Sequence, residues 1–442
     1  MPIFGRFEAT LGAVVLGCVG LLGLSLLFVE PEEALDPDRF EFAILPALNY
    51  DSDLGLGFGG SVVLAQFDRD YAPYRWRLSV LALTAIRAER GSPEFTFHND
   101  VVRLDLPGLS SGFIRLNLQA AFRRLSTSGW YGLGSESTIR VHSAESLVAD
   151  PSLVRDQQFL RTYPSLRGVT RLAIYDQPVP VGKRRLELFG GAELSRSWVS
   201  LYPNSQLATE AARAADPHSA DDRVLADLLH GTQDHWLLLG LLGLLWDSRD
   251  HETVPSTGAF HELSLRASPG VDAGLDYLGL TLSLSWYWCL FDPWLVLAAR
   301  VAGDALIGDP PLYALSSFGA LESISGPGGT ASTRGVLLDR FHGKFKILAN
   351  AEVRARFLPL TIWDQHFELG AALFFDAGRV WADARGRSLD GRPLDGGLER
   401  LQIGMGGGLR YRWGETFLLR AELGWSPTDG TSGVYIDVDQ AF

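Results

Sequence analysis

The sequence predicts an all-β fold, a transmembrane antiparallel β-barrel of about 16 strands with long extracellular loops. Three observations predict it. Beyond the N-terminus there is no second long apolar run, and the chain divides into short segments alternating polar and apolar residues. The composition holds 48 Gly, 12 Trp and 24 Phe but only 2 Met and 2 Cys, which suits strands better than helices. The connections also sort by parity into short and long sets, as a barrel with one looped face requires.

In chain order, the first element is an apolar run from Leu11 to Val29 behind the single basic residue Arg6. Residues 1–34 therefore read as an export signal or an N-terminal anchor, the run being nearly long enough to span a bilayer. The barrel is expected over 39–442. Its segments fall near 40–50, 54–67, 74–87, 94–106, 113–125, 157–175, 184–201 and 235–247, then 259–269, 277–290, 294–306, 344–358, 366–380, 401–413, 416–425 and 433–442. In 401–413, Leu401, Ile403, Met405, Leu409, Tyr411 and Trp413 share one face, and Gln402, Arg410 and Arg412 share the other with glycines. In 344–357 an apolar row led by Phe345 and Ile347 alternates with Lys346, Asn350, Glu352, Arg354 and Arg356. Segments this long, with a charged second face, fit strands that meet lipid outside and water inside.

If the first strand runs outward, the four longest connections, 126–156, 202–234, 307–343 and 381–400, all lie on the outer side. The second of these holds a candidate short helix at Asp221–Leu229 behind a Ser219 cap. A spanning sheet must close on itself because lipid offers no hydrogen-bond partners. At this strand number the bore is too wide for its own side chains to fill, so something plugs it or it conducts.

Several chemistries are excluded or unsupported. A net charge of −13 leaves no excess of cations for nucleic acid. Cys18 and Cys289 are too few for a disulfide framework, and Cys289 reads as a small apolar filler. Gly55, Gly57 and Gly60 satisfy a dinucleotide pattern, but an alternating strand follows where a helix is needed. No histidine pair has zinc spacing and no nucleophile elbow occurs, so neither metal, cofactor nor enzymatic activity is expected.

One charged constellation stands out in the last third. Glu352 and Asp376 lie on the polar faces of adjacent segments, and two carboxylates pointing into one bore repel each other unless a cation lies near. Arg334, in the loop before them, is a candidate for that cation. The alternative is a solvated arginine beside two ordinary acids of the bore. Pro46, inside the first segment, removes a ladder donor and is tolerable mainly on an edge.

The stretches "WYGLGSES" (130–137), "LLWDSRDHETVPSTG" (244–258), "TRGVLLDRFHGKFKILANAEVRARF" (333–357), "FFDAGRVW" (374–381) and "GVYIDVDQAF" (433–442) occur in this order. With them the chain resembles the BamA/TamA superfamily of outer-membrane assembly and translocation barrels, the bacterial surface antigen family, over roughly 120–442. The resemblance implies a bacterial outer-membrane location, and an Arg-Gly loop folded into the bore, with Arg334 and Gly335 at its tip and Glu352 and Asp376 as partners. It marks Gly132, Gly134, Asp247, Arg249, Asp250, Gly258 and Gly378 as family-motif positions. It makes Val434, Ile436, Val438 and Phe442 a C-terminal signal. Val336 stands where the family has an aromatic, and Gln440 where it has an apolar residue. With the first strand expected near Phe40, no periplasmic POTRA domain is expected before it. The implied function is insertion of outer-membrane proteins, or translocation of polypeptides, with a separate periplasmic or membrane partner delivering clients. A passive pore or structural barrel is the alternative.

Overall fold

The computed structural model describes residues 38–442, apart from 39, 69–70, 90–91, 111, 179–182, 253, 292–293, 320, 363–364, 398–399, 414–416 and 439. The signal or anchor expected over 1–34 lies outside the described residues.

Sixteen antiparallel strands close into one barrel, each bonded to its neighbours in sequence. The first eight are β1 (Phe40–Asp51), β2 (Gly55–Asp68), β3 (Tyr71–Glu89), β4 (Ser92–Leu109), β5 (Ile114–Gly129), β6 (Gln158–Pro178), β7 (Lys183–Leu201) and β8 (His235–Asp247). The rest are β9 (Gly258–Pro269), β10 (Asp276–Phe291), β11 (Leu295–Gly308), β12 (Phe345–Ile362), β13 (Gln365–Trp381), β14 (Gln402–Trp413), β15 (Phe417–Ser426) and β16 (Thr431–Val438). The dinucleotide-like glycines lie in β2, paired in register with β1.

Alternation sets what each wall face meets. On β8 and β10, Leu238, Leu242, Leu244, Leu278, Leu280 and Leu282 are exposed outward, while Thr281, Ser283 and Ser285 are buried inward. The outward rows carry aromatics toward both rims, Trp198 and Trp236 at one end and Trp288, Phe291 and Trp294 at the other. Such girdles mark the lipid–water interfaces of a barrel. Among the described residues no helix is long and apolar enough to cross a membrane. Cys289 differs from expectation: it is half-buried beside a register break between β10 and β11, not packed in an apolar core.

All four long connections, 130–157, 202–234, 309–344 and 382–401, emerge at one rim. They fold together as a dome. Helices α1 (Ala144–Ala149), α2 (Gln206–Ala215) and α3 (Ala220–Leu228) belong to it. Ser219 and Asp222 form a reciprocal capping box on α3. Trp130, Leu133, Leu207, Leu225, Leu312 and Leu394 come from all four connections and share one apolar cluster. The outer mouth is thus closed by a small hydrophobic core, and the bore beneath it is polar.

Candidate functional site

Connection 309–344 does not stay in the dome. Its middle descends along the inner wall of β12–β16, and its tip presents Arg334, which is fully buried. The arginine meets carboxylates from three strands. Its Nε and Nη2 donate to Asp376 of β13 at 2.8 and 3.0 Å, and its backbone N–H donates to the same carboxylate at 3.1 Å. Its Nη1 donates to Glu352 of β12 at 2.5 Å and to Glu422 of β15 at 2.9 Å. The ring of Phe374 lies 3.6 Å from the guanidinium carbon. The paired, charge-assisted contacts to Asp376 use the planar fork that lysine lacks.

A second ring of groups holds the carboxylates. Arg354 donates to Glu352 at 2.8 Å, and Arg410 and Arg420 donate to Glu422 at 2.6 and 2.7 Å. Asn350 donates to Asp376 at 2.7 Å and to the Ser332 carbonyl at 2.7 Å. Burying this many charges is tolerable only because nearly every carboxylate oxygen has a partner.

Small residues let the tip reach the wall. A Cβ on Gly404 would lie 2.1 Å from the Arg334 carbonyl oxygen, and one on Gly424 would lie 2.7 Å from Gly335 N. Gly335 itself has φ 91°, and a Cβ there would strike the Trp425 backbone at 2.6 Å. Val336, in place of the expected aromatic, is buried against Phe341 and Val380. The tip also ties to both ends of the barrel sheet. Gly335 N–H donates to the Tyr435 hydroxyl on β16 at 3.0 Å, and Leu338 N–H donates to Asp53, just after β1, at 2.7 Å.

Those two end strands meet at the weakest joint in the wall. Among the described residues β1 and β16 share two register pairs, Tyr50↔Ile436 and Asp51↔Tyr435. Pro46 falls in the stretch of β1 that pairs with β2 alone. The expectation that the last strand runs to Phe442 is corrected. Its pairing with β15 ends at Val438, and Phe442 turns into the bore. There Arg354 donates to the Phe442 carbonyl at 2.9 Å, and Arg300 lies 4.8 Å from its ring. Polar Gln440 gives a physical reason, since it cannot extend a lipid-facing row without cost. Val434 and Ile436 stay in β16, paired with Leu423 and Ala421.

The remaining motif residues shape connections. Gly134 N–H donates to the His342 carbonyl at 2.8 Å, and a Cβ on Gly134 would meet Leu394 O at 2.1 Å, so this motif seats the dome on the returning loop. Gly132 lies beside Gln206 of α2. Asp247 accepts from Arg249 Nε and Nη2, both at 3.0 Å, and Asp250 accepts from Ser256 and Thr257 N–H at 2.8 and 3.1 Å. These pairs close the turn into β9 at Gly258 (φ 100°). A Cβ on Gly378 would lie 2.9 Å from Pro327 of the descending loop. The sequence reading did not single out Glu422, Asn350 or Tyr435. Glu422 had a signal, since it shares the polar face of β15 with Arg420. No group of His, Cys, Asp and Glu among the described residues could hold a metal ion.

The Omp85 superfamily domain profile matches residues 188–442, more than half of the chain. The chain belongs to the Omp85 superfamily. As an Omp85 barrel it is a bacterial outer-membrane protein, and the resemblance read from its motifs agrees. A search of curated proteins returned no significant match. Among solved structures it is similar to BamA from Haemophilus ducreyi lacking POTRA domains 1–3, at 13% identity and TM-score 0.55 over 91% of this chain and 70% of that one. It is also similar to CdiB from Escherichia coli, at 12% identity and TM-score 0.56 over 92% of this chain and 64% of that one. At such identities the likeness concerns the fold. The chain thus spans about two thirds of each, and its described residues hold the barrel and no POTRA domain.

Proposed function

We propose that this barrel inserts proteins into the outer membrane, or passes polypeptides across it, by opening at the joint between β1 and β16. The observation carrying the reading is the contrast in pairing. Among the described residues β1 pairs with β2 over twelve residues, and with β16 over two. An exposed strand edge is a template for a client strand, as in β-augmentation. The loop tip is bonded to both sides of that joint, so Arg334, Glu352 and Asp376 act as a lock that fixes the loop while the joint works. Clients arrive through a separate periplasmic or membrane partner, and the barrel itself performs no enzymatic step. The rival reading, a passive pore, sits poorly with a bore whose mouth is domed and whose wall is occupied by a loop.

The test is a disulfide across the joint, Tyr50→Cys with Ile436→Cys in a background lacking Cys18 and Cys289. Insertion of a client barrel into liposomes is followed with and without reductant. Activity lost on oxidation and restored on reduction supports the reading. Full activity in the locked form ends it.

A further inference from the structure

The loop fills only one side of the bore. On the other, along the inner ends of β3–β6, lies a cavity of about 340 Å³. Its position follows from its lining. Tyr74 and Arg77 stand near the start of β3, Asp105 near the end of β4 and Arg115 near the start of β5, while Arg249 belongs to the turn before β9. All lie at the rim opposite the dome, the periplasmic one. A second cavity of about 500 Å³ continues toward the dome and shares Arg103, Gln119, Arg167 and Glu322 with the first.

The lining of the lower cavity is rich in arginine, although the chain as a whole is acidic. The protein carries −13. This lining presents Arg77, Arg103, Arg115, Arg167, Arg171 and Arg249 with Asp105, Glu252 and Glu322, while Glu187, Asp247 and Glu193 stand behind Arg171, Arg249 and Arg167. Asp105 is already neutralised, accepting from Arg115 Nε and Nη2 at 3.0 and 2.7 Å and from Asn117 at 2.7 Å. Arg171 donates to Glu187 at 2.6 Å. Among the described residues Arg103 meets the neutral amide of Gln119, at 2.9 Å, and the Glu322 carboxylate at a loose 3.8 Å. Arg167 donates through Nη2 to the Leu321 carbonyl at 2.6 Å, and its Nε lies a loose 3.9 Å from the Glu193 carboxylate.

Glu322 and Leu321 lie in a hairpin of the descending loop, where Ser317–Phe318 pair with Ile324–Ser325. Leu321 N–H is fixed to Glu262 at 2.7 Å. The Glu322 side chain is 75% exposed to the cavity space and merely approaches Arg103. It is a carboxylate held loosely over an arginine cluster that can form closer bonds.

We infer that this cavity is a binding site for a small multivalent oxyanion, phosphate or carboxylate, entering from the periplasmic rim. Arg77, Arg103 and Arg167 bind it, and Glu322 is the internal carboxylate it displaces. The volume is that of a small-molecule site. Guanidinium forks favour oxyanions over halides because two N–H groups meet two oxygens. The site shares no side chain with the Arg334 cluster, so it stands whether or not the joint opens.

The test is calorimetric titration of the full-length refolded barrel with inorganic pyrophosphate, and separately with citrate, at low ionic strength where charged contacts are least screened. One-to-one binding of either supports the inference, and the tighter one identifies the preferred group. Arg77→Gln with Arg103→Gln should weaken binding about tenfold. Glu322→Gln should tighten it about two- to threefold by removing the competitor. Arg123→Gln, which lines only the upper cavity, should leave it unchanged. No binding of either anion overturns the inference. So does a double variant that folds and binds like the parent, or a Glu322→Gln protein that binds more weakly.

Discussion

Between β11 and β16 the bore is filled by protein, and between β3 and β6 it is not. Both halves are built from the same alternating strands and both present arginines inward. In the filled half Arg334, Arg354, Arg410 and Arg420 are each bonded to a carboxylate, and Arg334, Glu352, Asp376 and Glu422 are essentially sealed from water. In the open half Arg77 stays exposed and Arg103 meets an amide. The difference teaches that alternation sets which face is polar, while a returning loop decides whether that face becomes a dry core. Charged contacts should then have very different weights on the two sides, strong where water is excluded and weak where it is present.

The largest break comes from Arg334→Ala. It leaves Glu352, Asp376 and Glu422 buried together with one cation fewer, and uncompensated buried charge costs about 3–5 kcal/mol. The heat-modifiable shift of the folded barrel on a gel should fall to lower temperature, and the loop should become a protease target. An unchanged midpoint would mean that the cluster contributes nothing to holding the loop. Arg334→Lys keeps the charge but loses the fork to Asp376, and should fall between the two.

A smaller effect is expected at the glycine shelf. Gly424→Leu places a side chain where Gly335 N would lie 2.7 Å from its Cβ, so the tip must lift. Overpacking of this kind costs about 1–3 kcal/mol. It should loosen the loop without touching any charge, raising conductance across planar bilayers while Arg334 remains present. If conductance and loop protection match the parent, the contact between tip and wall is dispensable.

How much of this was legible follows from the physics of each part. The sixteen strands were, because a wall between lipid and water forces a period of two on every segment. The Ser219 cap of α3 was, because capping is local. Asp376 and Glu352 were, because their faces follow from their own strands. Glu422 was not singled out, although its face was readable and its partner is the same Arg334, because it lies outside the stretches that carried the resemblance. Helix α2 was missed because its burial depends on Trp130 and Glu210 meeting through the dome, where the Trp130 Nε1 donates to Glu210 at 2.8 Å. The end of β16 was overrun although polar Gln440 marked it, because the contacts of Phe442 with Arg300 and Arg354 come from distant strands.

The dome offers a pH-dependent variant of the comparison. Burial, reinforced by the charges of Lys346 and Arg340, pushes His342 down from 6.5 to about 3, so it is neutral when folded. Its stabilising contribution is present above pH 6.5 and is lost as pH falls toward 3. Burial pushes Asp339 the other way, from 3.8 up to about 6, so the penalty on its charge is relieved as pH falls from 6 toward 3.8. The two trends oppose each other, and the parent should change little near pH 5. His342→Gln removes the first trend alone, so the outer loops should then resist protease better at pH 4.5 than at pH 7. A variant that tracks the parent at both values would clear His342 of any part in the profile.

The smallest effect is predicted on the open side, and it is the sharpest test of the comparison. Arg123 projects from β5 into the upper cavity, donating to Asn99 at 3.0 Å with the Tyr163 ring at 5.9 Å. Both contacts border the upper cavity, so Arg123→Gln should cost under about 1 kcal/mol. Arg334→Ala and Arg123→Gln each remove one inward arginine from the same kind of wall. If both shift the unfolding temperature equally, the bore is electrostatically uniform and the loop does not exclude water from its side. A several-fold larger shift for Arg334 places the dry core where the loop descends, and leaves the other half free to hold solvent and solute.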